Sequence, residues 1–164
     1  MLQQSSKIYT AREPDLYTNQ GDKILFDVKK PFIYHVNIDK DDIDDQNHVN
    51  NVSYVKWMEQ AAVSHSNTLG FDWQWYQGTG TSFFARRHEV EYLAQSYLDD
   101  EIVVATWPEK MEKFIAHRRY QIVRIRDGKT LVRALTHWVF VKTENERPTR
   151  IPNQMIEYFL QSVR

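Results

Sequence analysis

The sequence predicts an α+β protein of one domain, with a long antiparallel β-sheet wrapped around a central α-helix. Three observations predict it. One strand-like segment precedes a single long apolar helix, four strand-like segments follow without another helix between them, and an Asp-Gly pair joins two of those segments. Strands that follow one another without helical crossovers pair antiparallel, and a helix that is apolar over more than half its circumference needs other structure to cover it. A chain of 164 residues suits one domain.

Residues 1–30 read as an N-terminal arm and residues 31–164 as the domain. The arm is polar and punctuated by Pro14, Gly21 and Pro31. A short strand is expected over residues 24–28, with Tyr9, Tyr17 and Phe26 pinning the arm to the body. Alternation over residues 32–38 predicts the first strand of the domain, with Phe32, Tyr34, Val36 and Ile38 on one face. An acidic loop, 39–47, leads to a helix that starts at Asn50 or Asn51, a favoured N-cap type. This helix runs to Leu69, and Gly70 is its stop. Residues 71–81 read as a loop around Gly78 and Gly80. Strands are expected over 82–94, 101–110, 114–126 and 130–142, all rich in β-favouring Val, Ile and aromatic residues. Asp127-Gly128 makes the hairpin between the last two. The run from Arg147 to Pro152 ends the sheet, and Pro152 introduces a final helix, 153–163.

Composition excludes several classes. With no cysteine, the chain has no disulfide, no thiol nucleophile and no thiolate metal site. A net charge of −1 with mixed signs does not suit a nucleic-acid binder. No apolar run approaches the ~18 residues of a membrane span, and the N-terminus lacks the pattern of a secretion signal. A cytoplasmic protein is expected, with no membrane partner. The acids around His48 do not fit a calcium loop, since Ile43 stands where a ligand is needed and no central glycine follows. The histidines lack zinc spacing, so no metal is expected. No Gly-x-Ser-x-Gly elbow and no phosphate-binding glycine loop occur.

The chemistry concentrates in Asp42-Ile43-Asp44-Asp45-Gln46-Asn47-His48-Val49-Asn50-Asn51, which runs into Val52-Ser53-Tyr54-Val55-Lys56-Trp57-Met58-Glu59. It sets a carboxylate close to a helix start, where backbone N–H groups are unpaired and a partial positive charge gathers. Such groups can hold a developing oxyanion while the carboxylate activates water or attacks. That is the chemistry of cleaving an ester or thioester. Asp42 is expected to bond the loop backbone or to cap. Glu59 is expected to make a buried hydrogen bond, because an unpaired buried carboxylate is costly.

The pattern Asp42-x-Asp44-x-x-x-His48-Val-Asn-Asn51-x-x-Tyr54-x-x-Trp57-x-Glu59 resembles that of the hotdog-fold thioesterases. It is similar to the 4-hydroxybenzoyl-CoA thioesterase and YbgC-like branch, and its His-Val-Asn-Asn run is similar to acyl-acyl-carrier-protein thioesterases. Segments 84–93 and 99–104 support the likeness, which covers roughly residues 32 to 152. The resemblance implies a thioesterase acting on acyl-CoA or acyl-carrier-protein thioesters. Asp44 would be nucleophile or general base, the Asn51 amide the oxyanion donor, and His48 a group that orients Asp44 or protonates the leaving thiol. The acyl-carrier-protein branch has a catalytic asparagine two positions before the histidine; here Gln46 stands there, which favours the simpler aspartate scheme. Asn47 replaces a glycine-type turn and can adopt left-handed geometry.

The acyl chain is expected to run beside the central helix, where Tyr54, Trp57 and the loop 71–76 could line or gate it or else pack in the core, and Lys110, Lys113 and Arg150 are expected against coenzyme A phosphates. Arg147 and one member of each pair Arg86/Arg87 and Arg118/Arg119 are further candidates, since alternation turns neighbours to opposite faces. No cofactor is needed beyond the coenzyme A or phosphopantetheine of the substrate. A homodimer or homotetramer is expected, with sites at the subunit seam. Two other readings fit the same fold: an enoyl-thioester hydratase, and a non-catalytic acyl-thioester binder.

Overall fold

The structure, a computed structural model, describes residues 15–163. Its elements are β1 (Phe32–Val36), a 3-10 turn (Lys40–Asp42), α1 (Asn51–Thr68), α2 (Trp73–Thr79), β2 (Thr81–Tyr92), β3 (Ile102–Glu112), β4 (Ile115–Arg124), β5 (Lys129–Lys142) and α3 (Asn153–Gln161). The five strands form one antiparallel sheet in the order β1-β3-β4-β5-β2. The five strands expected of the domain, the long helix and the hairpin at Asp127-Gly128 are present.

The sheet curves over α1. Residues two apart on the strands pack against the helix: Ile102 and Val104 on β3, Tyr120 and Ile122 on β4, Val132 and Ala134 on β5. With Tyr54, Trp57, Met58 and Ala61 of α1 they form the main core. The helix is not enclosed all round, however. Val52 is 73% and Val63 58% exposed, and Glu59 and Gln60 share that open side. The expectation of a buried, hydrogen-bonded Glu59 is thereby corrected: it faces outward, because the sheet wraps only the opposite stripe.

A second core cluster closes the far end of α1. Phe71, Ala116, Phe140 and Ile151 meet Met155 and Phe159 of α3 there. Residues 73–79, expected as loop, form α2: Asp72 caps it by accepting from the Trp75 amide at 2.9 Å, and Gly80 ends it at a left-handed φ of 60°.

The arm crosses the back of the sheet. Ile24, rather than the expected tyrosines, is the pin, buried against Val103 and Val123. Tyr17 is 52% exposed, Tyr9 lies outside the described residues, and Phe26 is only partly buried. No strand forms over 24–28; the segment is tied side-on instead. Gln121 accepts from the Asp27 amide at 2.9 Å and donates to the Leu25 carbonyl at 3.3 Å, and Arg133 pairs with Asp27.

Candidate active site

The acidic loop is built from its own backbone. The Asp44 amide donates to the His48 carbonyl at 2.9 Å, the Asn47 amide donates to the Asp44 carbonyl at 3.0 Å, and Ile43 and Val49 bridge. Asn47 takes the left-handed turn at φ 61°, a conformation asparagine tolerates better than most residues. Within this turn Asp44 Oδ1 accepts from the amides of Gln46 (2.9 Å) and His48 (3.2 Å). Its Oδ2 meets no donor among the described residues. One carboxylate oxygen is thus anchored and the other is open.

Asp42 holds the loop to the helix. Its buried carboxylate accepts from the Asp39 amide at 3.0 Å, from the Ser53 hydroxyl at 2.9 Å and from Lys56 Nζ at 3.0 Å. Its carbonyl takes the Asn50 amide at 2.7 Å. Burial alone would raise the Asp42 pKa; the hydrogen bonds from Asp39, Lys56 and Ser53, together with the Lys56 charge, outweigh it and hold the group below its ordinary value. The structural role expected of Asp42 is the one observed.

Asn50 caps α1, its side chain accepting from the Val52 amide at 2.9 Å. The Asn51 amide, next to it, meets no acceptor among the described residues, while the Asn51 carbonyl is held by the Tyr92 hydroxyl at 3.1 Å. The helix start therefore presents one unpaired donor, and the loop that leads into it carries a fixed carboxylate. His48 contributes its backbone rather than its ring to Asp44; the ring packs edge-on against Tyr97 at 5.4 Å.

The substrate-contact candidates divide. Tyr54 sits in the core, its hydroxyl 2.6 Å from Ser96 and its ring edge-on to Trp57 and Tyr92. Lys113, in the β3–β4 turn at φ 53°, accepts the Ile151 amide at its carbonyl (2.7 Å), which brings it near Arg150. Lys110 pairs with Glu112 at 2.7 Å on the same hairpin. These three exposed cations share one end of the sheet, and Asp44 and Asn51 occupy the other: the rise from Ile102 to Lys110 spans roughly 26 Å. Arg119 faces outward and pairs with Glu109, as alternation requires. Arg118 is 7% exposed and points inward, so it is removed from the candidate rim.

A cavity of about 840 Å³ opens between the C-terminal half of α1, α2 and the sheet, with Ser66, Tyr76, Phe83, Phe84, Trp138 and Arg118 on its wall. Of the residues expected to line or gate an acyl path beside the helix, Phe71, Trp73 and Tyr76 are on this wall while Tyr54 and Trp57 are not; most of the rest of the wall comes from α1, α3 and β2 to β5, elements that no local pattern brings together. No cluster of metal-ligating side chains occurs among the described residues, and no helix there is long and apolar enough to cross a membrane.

One antiparallel sheet curled around one long helix is the hotdog fold. Solved structures share it: the Staphylococcus aureus protein SAV2348 in complex with CoA (TM-score 0.76, 14% identity, covering 83% of this chain and 85% of that one), the DHNA-CoA thioesterase of Staphylococcus aureus (0.72, 19%, 79% and 88%), and the 1,4-dihydroxy-2-naphthoyl-CoA thioesterase Slr0204 of Synechocystis (0.73, 16%, 79% and 95%). No curated protein matches the sequence. The profile of the thioesterase-like superfamily matches residues 38–159, and the chain belongs to that superfamily, a thioester hydrolase by class.

Proposed function

We propose that this protein hydrolyses acyl-CoA thioesters, with Asp44 as the reactive carboxylate and the Asn51 amide as the oxyanion donor. The observation that carries the reading is the pairing of a half-anchored carboxylate with an unfilled amide at the start of α1. With the thioester carbonyl oxygen on the Asn51 N–H, charge developing there is met by a fixed donor and the positive end of the helix. Asp44 Oδ2 then takes a proton from water as that water attacks the carbonyl carbon, or attacks it directly to give a mixed anhydride that water opens. In both routes the C–S bond breaks, the thiolate leaves and collects a proton, and the acyl group departs as a carboxylate. No cofactor takes part beyond the coenzyme A or phosphopantetheine of the substrate.

The active unit is a dimer built on β2. This 12-residue strand is the sheet edge, and most of it is exposed; a long bare edge invites a partner strand. Two copies joined antiparallel about the bulge near Ala85 and Arg87 would set the Tyr92 end of one strand against the Thr81 end of the other. Tyr92 touches Asn51, and the Thr81 end carries the cavity, with the hairpin of Lys110, Lys113 and Arg150 at the same end. Each catalytic loop would then face the partner's cavity, which takes the acyl chain, and the partner's cations, which take the phosphates of coenzyme A.

Thiol release from a panel of acyl-CoA and acyl-carrier-protein thioesters tests the reading. Release by the wild type and its loss in D44N are expected. Wild-type turnover in D44N would overturn the Asp44 assignment, and no release from any thioester would overturn the function.

A further inference from the structure

The wall of the cavity is mostly apolar, with polar side chains such as Ser66, Gln77, His117 and Glu146 among them, and one buried cation faces it. Arg118 lies on its wall, more than nine-tenths buried, with no carboxylate beside it among the described residues. Its Nη1 donates to His65 Nδ1 at 3.1 Å and Thr106 Oγ1 at 3.2 Å, and its Cζ lies 5.3 Å from the centre of the Phe159 ring. These partners hold the guanidinium in place but do not neutralise it. His65 cannot become a counter-ion. Burial, reinforced by the Arg118 charge, depresses its pKa to about 2, so it stays neutral, accepting at Nδ1 and placing Nε2 2.9 Å from the Ser162 hydroxyl. Burial also pushes the Arg118 pKa down, yet a guanidinium remains charged in proteins.

The Nε and Nη2 hydrogens of Arg118 have no acceptor among the described residues. They form the side-on edge of the guanidinium, the fork that fits the two oxygens of a carboxylate. Elsewhere in this chain the same edge is filled that way. Arg124 gives Nε and Nη2 to Asp127 at 3.0 and 2.7 Å, and Arg133 gives Nε and Nη2 to Asp27 at 3.0 and 3.2 Å. Nearby, the Trp138 Nε1–H and the Tyr120 hydroxyl are buried without a well-formed hydrogen bond, and the hydroxyl is drawn to Thr136 and Trp138. Trp138 lines the cavity, and Tyr120 shares the inward face of β4 with Arg118. Unfilled buried donors are rare in native proteins, and an unpaired buried cation rarer still. An open guanidinium edge in a mostly apolar chamber calls for an acceptor at the end of an apolar ligand.

We propose that the cavity takes an acyl group whose far end bears a carboxylate, read by the side-on fork of Arg118. The substrate class is then the ω-carboxyacyl thioester. This rests on the cavity being the acyl pocket of the thioesterase proposed above. Phe83, Phe84 and Phe71 enclose the methylenes, and Arg118 discriminates against a methyl end because its fork would then stay dry and unpaired.

The test has two arms on the full-length protein. In the first, kcat/KM is measured for the mono-CoA thioester of octanedioic acid and for octanoyl-CoA. The wild type should prefer the carboxylated substrate by about 10- to 100-fold, the range of one charge-assisted hydrogen-bond pair. R118M should collapse that ratio, and R118K, which keeps the charge but not the fork, should retain only part of it. In the second, calorimetry compares octanoate with octan-1-ol, and only octanoate should bind in a way that R118M abolishes. Hydrolysis with no preference for the carboxylated substrate overturns the inference and leaves the thioesterase reading standing. Absence of all hydrolysis together with Arg118-dependent octanoate binding overturns the thioesterase reading and leaves the carboxylate site standing. Equal binding of octanoate and octan-1-ol overturns the inference without recourse to any variant.

Discussion

Asp44 is held to its loop by one carboxylate oxygen and leaves the other for the role proposed above. Its Oδ1 accepts from two loop amides and its Oδ2 is open. An asparagine at this position can keep Oδ1 as an acceptor and lose only the anionic oxygen. D44N should therefore remain folded, with an unchanged circular dichroism spectrum, while turnover falls by roughly 100-fold or more, the usual size of a general-base contribution. His65 sets a different expectation. Its folded pKa, about 2, lies below the ordinary histidine value near 6.5, so the unfolded chain binds the extra proton first. The stability it contributes is complete above pH 6.5 and is lost as the pH falls from there toward 2. Between pH 6.5 and 5 the protein should lose roughly 1–2 kcal/mol through this residue. Urea titrations across that range check it, and H65Q should flatten the slope.

At the scale of elements, the helix that sequence reasoning left as a loop is the instructive case. Residues 73–79 carry no long apolar period, and Gly78 argues against a helix. The signals that define α2 are its ends, Asp72 as a cap and Gly80 in the left-handed region. Nothing lies within 4 Å of a Cβ added at Gly80, so a side chain there would meet strain rather than a clash. G80A should cost about 1 kcal/mol in thermal or chemical unfolding, through backbone conformation alone. The strands were legible because alternation over ten residues is a local property. Which face of β4 is inner was not: alternation separates Arg118 from Arg119, and only the register with β3 and β5 says which one is buried.

On the scale of the whole molecule, the arm and the free edge matter most. Ile24 closes a small core on the back of the sheet with Val103 and Val123. I24A should destabilise the protein by about 2–3 kcal/mol, at the low end for a buried aliphatic because the arm can partly collapse onto the gap. The bare β2 edge and the separation of the cations from Asp44 within one chain are the grounds for the proposed dimer. Sedimentation should show at least two copies in solution, and a strictly monomeric active enzyme would rule out the shared site.

The sequence by itself determined the order of the five strands and the long helix, the loop that carries Asp44, the helix start at Asn51 and the class of protein. Each is written in residues a few positions apart, where periodicity, capping and turn chemistry act. The tertiary structure alone decided that Glu59 faces outward, that Ile24 and not a tyrosine fixes the arm, and that Arg118 stands unpaired over a cavity. Those outcomes depend on strand register and on residues as distant as Ala62 and Phe159 meeting in one wall, and no local pattern in a chain encodes which distant side chains will share a void.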